Sequence, residues 1–99
     1  MGSKNLKAIA AAVDPLIYDD YVGLYRMTPE FSITVTKEEG RLFGQGTGQP
    51  RFELFPEGRD SFFLKAVAAK IRFHRDPDGR VVEIIVLSAS GEEKGTRIL

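Results

Sequence analysis

The side chains able to do chemistry in this chain are few and poorly clustered. His74 is the single histidine and there is no cysteine. A zinc site would therefore need mainly carboxylates, which is unusual for that metal. Asp76 and Asp78 stand close to His74 in sequence, but within Asp76-Pro77-Asp78-Gly79 they belong to a turn. His74 thus reads as an outward strand residue beside a turn, the alternative being a ligand or metal contact. Gly44-x-Gly46-x-Gly48 has phosphate-loop spacing but lacks the following helix and lysine that hold the anion. Pro50 and another strand follow, so curvature or a bulge is the expectation. Glu38-Glu39 and Glu92-Glu93 are paired acids that read as solvated turn residues. General acid/base work would require burial that separates their pKa values. No catalytic residue, metal ligand or cofactor site is assigned on these grounds.

Aromatic side chains are the remaining signal. In a closed barrel, inward Tyr21, Tyr25, Phe52, Phe62 and Phe73 either line a cavity for a small apolar ligand or fill the interior. Arg26, Arg41, Arg51 and Arg72 fall on outward faces by alternation.

The elements that must position these residues follow from periodicity. Ninety-nine residues, 42% of them hydrophobic and seven of them Phe, make one domain with one core. Fourteen basic and fourteen acidic residues cancel, which argues against nucleic acid as a partner. No apolar run approaches the roughly 20 residues of a membrane span, and no signal-peptide cleavage pattern follows Lys7–Val13. Met1-Gly2-Ser3 reads as an expression start, so the chain is expected to be cut from something longer. Lys4–Val13 carries Leu6, Ile9, Ala10 and Val13 at helical spacing and is expected to dock on the β domain or on a neighbouring one. Asp14-Pro15 ends it. Leu16–Asp20 leads into the first strand.

Strands are expected over Tyr21–Met27, Phe31–Lys37, Arg41–Thr47, Arg51–Phe55, Ser61–Lys65, Lys70–Arg75, Val81–Leu87 and Glu93–Ile98. In the first, Tyr21, Gly23, Tyr25 and Met27 face inward, with Gly23 between two rings allowing a bend. Phe31–Lys37 alternates most cleanly, Phe31, Ile33 and Val35 in, Ser32, Thr34 and Thr36 out. Gly40 is expected at positive φ, and Pro56 to end the fourth strand. Ala66–Ala69 suits either strand or loop. Val81–Leu87 is apolar on both faces except at Glu83, so either both faces are covered or a bulge changes the parity. The result is a mostly β domain. It is either a small eight-stranded antiparallel up-and-down barrel with a short N-terminal helix, or a strongly curved open sheet with the helix on one face.

Several runs in order carry a likeness: Tyr21-Val22-Gly23-x-Tyr25, Phe31-x-Ile33-Thr34-Val35-Thr36, Arg41-Leu42-Phe43-x-Gln45-x-Thr47-Gly48-Gln49-Pro50, Phe52-Glu53-Leu54-Phe55-Pro56-Glu57, Phe62-Phe63-x-Lys65, and Phe73-x-Arg75-Asp76-x-Asp78-Gly79-Arg80-Val81. The chain resembles the domain of unknown function found at the C-terminus of serine hydrolases of the class C β-lactamase and penicillin-binding-protein-like group. The likeness covers Tyr21 to Val86. It implies a lipocalin-like barrel over residues 21–99, with 1–20 as N-terminal helix and interdomain connector. The implied partners are the parent's catalytic domain or a second copy of the chain. Many such parents are exported to the cell envelope. The chain departs from the family's pattern at Leu87-Ser88, where a His-Gln pair is common, and at Ala68, where an acid is common. The parents' Ser-x-x-Lys nucleophile is missing: three residues after Ser3, Ser32, Ser61, Ser88 and Ser90 stand Leu6, Val35, Leu64, Gly91 and Glu93. The implied role is a non-catalytic accessory or interaction domain; the alternative is a small apolar-ligand barrel.

Overall fold

A computed structural model describes residues 15–99. The helix expected over Lys4–Val13 lies outside the described residues. Within them the chain opens with one 3-10 helix, Pro15–Asp20, where a leading proline supplies the φ a helix needs. Eight strands follow: β1 Gly23–Thr28, β2 Phe31–Glu38, β3 Arg41–Gly46, β4 Arg51–Gly58, β5 Ser61–Phe63, β6 Ala69–Arg75, β7 Val81–Ser88 and β8 Gly91–Arg97. Each pairs antiparallel with the next, and β8 returns to β1, so the sheet is a closed up-and-down barrel rather than a curved open sheet. Closure removes the unpaired edges that an open sheet would expose.

The closing seam is short. Tyr25 pairs with Arg97 and Arg26 with Thr96. Beyond them the backbone continues the ladder, Leu24 N–H donating to Leu99 O at 3.3 Å and Ile98 N–H to Leu24 O at 2.8 Å. Gly23 serves this seam. A Cβ there would meet the Leu99 carbonyl and the Arg97 side chain, so close backbone approach explains this glycine, not a bend between two rings.

Turn chemistry matches the sequence where it is local. Glu39 and Gly40 both have positive φ, 51° and 75°, as a tight β2–β3 hairpin needs. Asp76 Oδ1 accepts from the N–H of Asp78 and of Arg80, both at 2.9 Å, and Gly79 takes φ 86°. Two expectations need correction. Pro56 does not end β4: it pairs with Phe62, and the register shifts between Pro56 and Gly58. A missing N–H is tolerated beside such a bulge, where the ladder is already interrupted. Glu92 and Glu93 are not turn residues either. Both lie in β8, opposite Leu87 and Val86, and alternation puts them on opposite faces. On β7 the bulge reading holds, since the pairing skips Val82 between Arg75↔Val81 and His74↔Glu83. Val81, Ile84 and Val86 consequently all pack on the core.

The core is a single cluster that includes Tyr21, Tyr25, Val35, Leu42, Phe62 and Ile84, all at 0% exposure. Tyr18 of the 3-10 helix is buried with them. At one end of the barrel are the β2–β3, β4–β5 and β6–β7 turns, with the 3-10 helix and residues 98–99. At the other end are the β1–β2, β3–β4, β5–β6 and β7–β8 connections.

Candidate functional site

The two ends of the interior are built differently. At the end capped by the 3-10 helix, four of the five aromatic candidates form a plug. Tyr21 stacks on Phe73 at 4.4 Å between ring centroids, and Phe62 meets the edges or faces of both at 5.3 and 5.7 Å. Tyr25 packs on Phe73 at 5.7 Å, and Tyr18 on Phe62 at 5.9 Å. Such edge-to-face and offset pairs fill space densely, so Tyr21, Tyr25, Phe62 and Phe73 are core. Phe52, the fifth candidate, lies apart and lines the open end.

Polar groups seal the plug. Tyr25 Oη donates to Tyr21 O at 2.7 Å. Tyr21 Oη donates to Asp60 Oδ1 at 2.6 Å and accepts from Asp60 N–H at 3.2 Å. Asp60 sits at φ 60° in the β4–β5 turn, a left-handed conformation that Asp tolerates better than most residues. Arg75 Nε donates to both Asp60 oxygens, at 3.0 and 3.1 Å, while its Nη1 reaches Asp20 Oδ2 at 3.1 Å and Gly79 O at 2.7 Å. Arg75 Nη2 is buried with no hydrogen-bond partner among the described residues. Arg97 donates to Val22 O at 2.6 Å, Val81 O at 3.0 Å, Asp20 O at 3.1 Å and Leu99 O at 3.0 Å. Two arginines thus tie the 3-10 helix, two turns and the residues after β8 to the barrel.

Burial holds the Tyr21 and Tyr25 hydroxyls well above the usual phenol value, each to about 12. Asp60 raises Tyr21 further through its hydrogen bond. Burial alone would lower the Arg75 pKa, but hydrogen bonds with Tyr21, Asp60 and Asp20 more than offset it and keep the guanidinium charged. This is a structural network.

The opposite end is open. There the inward faces of the strands leave a cup of about 250 Å³. Ile33, Phe52, Leu54, Ile71, Ile84 and Val86 are among its walls, with Met27, Leu64, Val67 and Ala69 also reaching it. Of two glycines on these walls, one leaves room. Gly44 would place a Cβ only in ordinary contact with Leu54 and Ile33, while the space beside Gly46 is occupied by the Phe31 ring and the Gln49 amide. The polar lining is Gln45, Gln49 and Glu93. Gln45 Nε2 is committed to Gln49 O at 3.0 Å. Glu93 pairs across the ladder with inward Val86, so its side chain is on the inner face. Among the described residues it forms no salt bridge, whereas its neighbour Glu92 lies 3.8 Å from Lys94.

Alternation in the sequence put Met27, Ile33 and Phe52 inward, but it assigned no face to Ile84, Val86, Val67 or Ala69 and missed Glu93, Arg75 and Arg97 as inward groups. The available signal was the alternation Glu93-x-Gly95-x-Arg97, with a glycine between two inward charges. His74 is exposed on the outer face opposite Glu83. Of the described serines, Ser61 Oγ donates to Glu57 Oε2 at 3.2 Å and the Ser88 and Ser90 hydroxyls pair at 3.0 Å. Neither arrangement supplies a Lys or His base to a hydroxyl. Among the described residues no group of three or more His, Asp or Glu side chains is placed to hold a metal, and no helix is long and apolar enough to cross a membrane.

The family model described as "Domain of unknown function (DUF3471)" matches residues 7–97, beyond the Tyr21–Val86 span at both ends. Penicillin-binding protein 4* of Bacillus subtilis (strain 168) is 37% identical over 82 residues, 83% of this chain. The chain spans only 18% of that relative's length. No solved structure matches.

Proposed function

Since the chain belongs to the DUF3471 family, we propose that it is a non-catalytic accessory domain of a larger serine hydrolase of the penicillin-binding type. In this reading residues 1–20 form the connector and 21–99 a lipocalin-like barrel. The observation that carries it is the match to a minor segment of a penicillin-binding protein, on a domain where Ser61, Ser88 and Ser90 have no Lys or His hydrogen-bonded to the hydroxyl. The clamp on Asp20 adds a mechanical argument. Arg75 and Arg97 hold Asp20, the last residue of the proposed connector, by its carboxylate and its carbonyl, so that end of the connector is fixed to the barrel. Its work is then to pack on a catalytic domain or a second copy and shape access to the active site.

The test uses the whole chain with a chromogenic β-lactam, a chromogenic ester and a fluorescent penicillin. We expect no turnover and no covalent label. Turnover or labelling that disappears on substitution of one serine overturns the proposal.

A second reading has its own support in the open cup, which is concave, apolar and lined by few polar groups, as small-molecule sites are. At about 250 Å³ it lies under the roughly 300–1,000 Å³ of pockets for drug-sized ligands, so the guest is small. Thermal stabilisation by small apolar compounds tests it; no shift with any of them removes it.

A further inference from the structure

The cup reading can be made specific about chemistry. Eight-stranded barrels often fill both ends with side chains. This one fills only the end with the aromatic plug. From the open end toward the plug, the inner column of β8 runs Glu93, Gly95, Arg97, and these three positions behave differently. Arg97 is consumed by four backbone carbonyls. Gly95 is buried, and a Cβ there would meet Met27 and Ile84. Glu93 alone faces the cup with a charge and, among the described residues, with no cation to meet it. Its flanking cation Lys94 points to the outer face, opposite Ile85. A carboxylate at an inward position gives up part of its hydration whenever the cup is occupied. An occupant without a donor makes that loss worse, and an occupant with a positive charge offsets it.

The geometry points to a small hydrophobic amine as the ligand: one aromatic ring or branched alkyl group seated against Phe52, Ile84 and Val86, with its ammonium group on Glu93 at the rim. Size supports the choice. A dry cavity of about 150 Å³ accepts benzene, so about 250 Å³ seats one ring with two or three further carbons, whereas a fatty acyl chain would extend out of the cup. Charge supports it too, because among the described residues the cup's one ionisable lining group is negative. The inference rests on the cup being a binding site at all, and it goes further by naming the guest.

The experiment compares phenethylamine, phenethyl alcohol and hydrocinnamate, which share a ring and spacer and differ in charge. Binding is read at neutral pH from NMR shifts of the Ile84 and Val86 methyl groups. The amine is expected to bind tightest and the carboxylate weakest. An ion pair at an exposed rim accounts for about two- to fivefold in affinity. Glu93→Gln should remove that preference and leave the alcohol unchanged. Ala69→Leu, at an inward rim position, should abolish binding of all three while circular dichroism shows the barrel intact. Equal binding of amine and alcohol, or a preference that survives Glu93→Gln, overturns the amine and leaves the cup reading standing. No methyl shift with any compound overturns both.

Discussion

The Tyr21 hydroxyl and the Asp60 carboxylate meet at 2.6 Å, joining the approach to β1 with the β4–β5 turn across 39 residues of sequence. The same carboxylate takes the Arg75 guanidinium, whose side chain is only 14% exposed. One hydrogen-bonded acid therefore holds the aromatic plug and the turn above it in register.

Removing the hydroxyl by Tyr21→Phe keeps the ring stacked on Phe73 but takes a donor from Asp60. Urea unfolding should show a loss of about 1–2 kcal/mol. Asp60→Ala should cost more, about 2–4 kcal/mol, because Arg75 loses its closest anion and Ala is strained at φ 60°. The two losses should be less than additive in the double variant, since both remove the same contact. Full additivity would show that the two residues act independently.

Alkaline stability follows from the raised phenols. Tyr21 and Tyr25 hold their protons to about pH 12 in the folded chain, against about 10 when unfolded. Between those values the folded state binds more protons, so stability falls as pH rises. The contribution is complete below about pH 10 and is lost through about pH 12. Tyrosinate absorbance should therefore rise late and together with unfolding. Ionisation near pH 10 with the barrel still folded would contradict the burial.

Gly23→Ala tests the seam. The added methyl meets the Leu99 carbonyl, which the β1–β8 ladder holds in place. A loss of about 2–3 kcal/mol is expected, with the greatest gain in amide exchange at Leu24 and Ile98. Gly79→Ala should instead act only through its positive φ, costing about 1 kcal/mol with the seam unchanged.

The two ends of the interior should answer differently to the same truncation. Phe62→Ala opens a hole in a fully buried plug and should cost about 3–5 kcal/mol. Phe52 is half-buried on the wall of an open cup, so Phe52→Ala should cost well under that, about 1–2 kcal/mol. Equal losses would mean that the cup is closed in solution.

The sequence alone carried the inward and outward faces of β2, β4 and β6, the hairpin at Glu39-Gly40 and the turn at Asp76–Gly79. These depend on alternation and on backbone preferences within a few residues, and neighbouring side chains suffice to state them. Strand number and order followed, since short turns between alternating runs permit simple up-and-down pairing. The tertiary structure decided what depends on closure. It set β1 against β8, made Gly23 a point of backbone approach, placed Pro56 inside β4 beside a bulge, and turned Arg75 and Arg97 inward onto carbonyls and acids. It also divided one list of inward aromatics between a solid plug and a cup, and put Glu93 at that cup's mouth. Alternation fixes which face a side chain takes; only the stagger of a closed sheet fixes how far along the barrel it stands and what stands across from it.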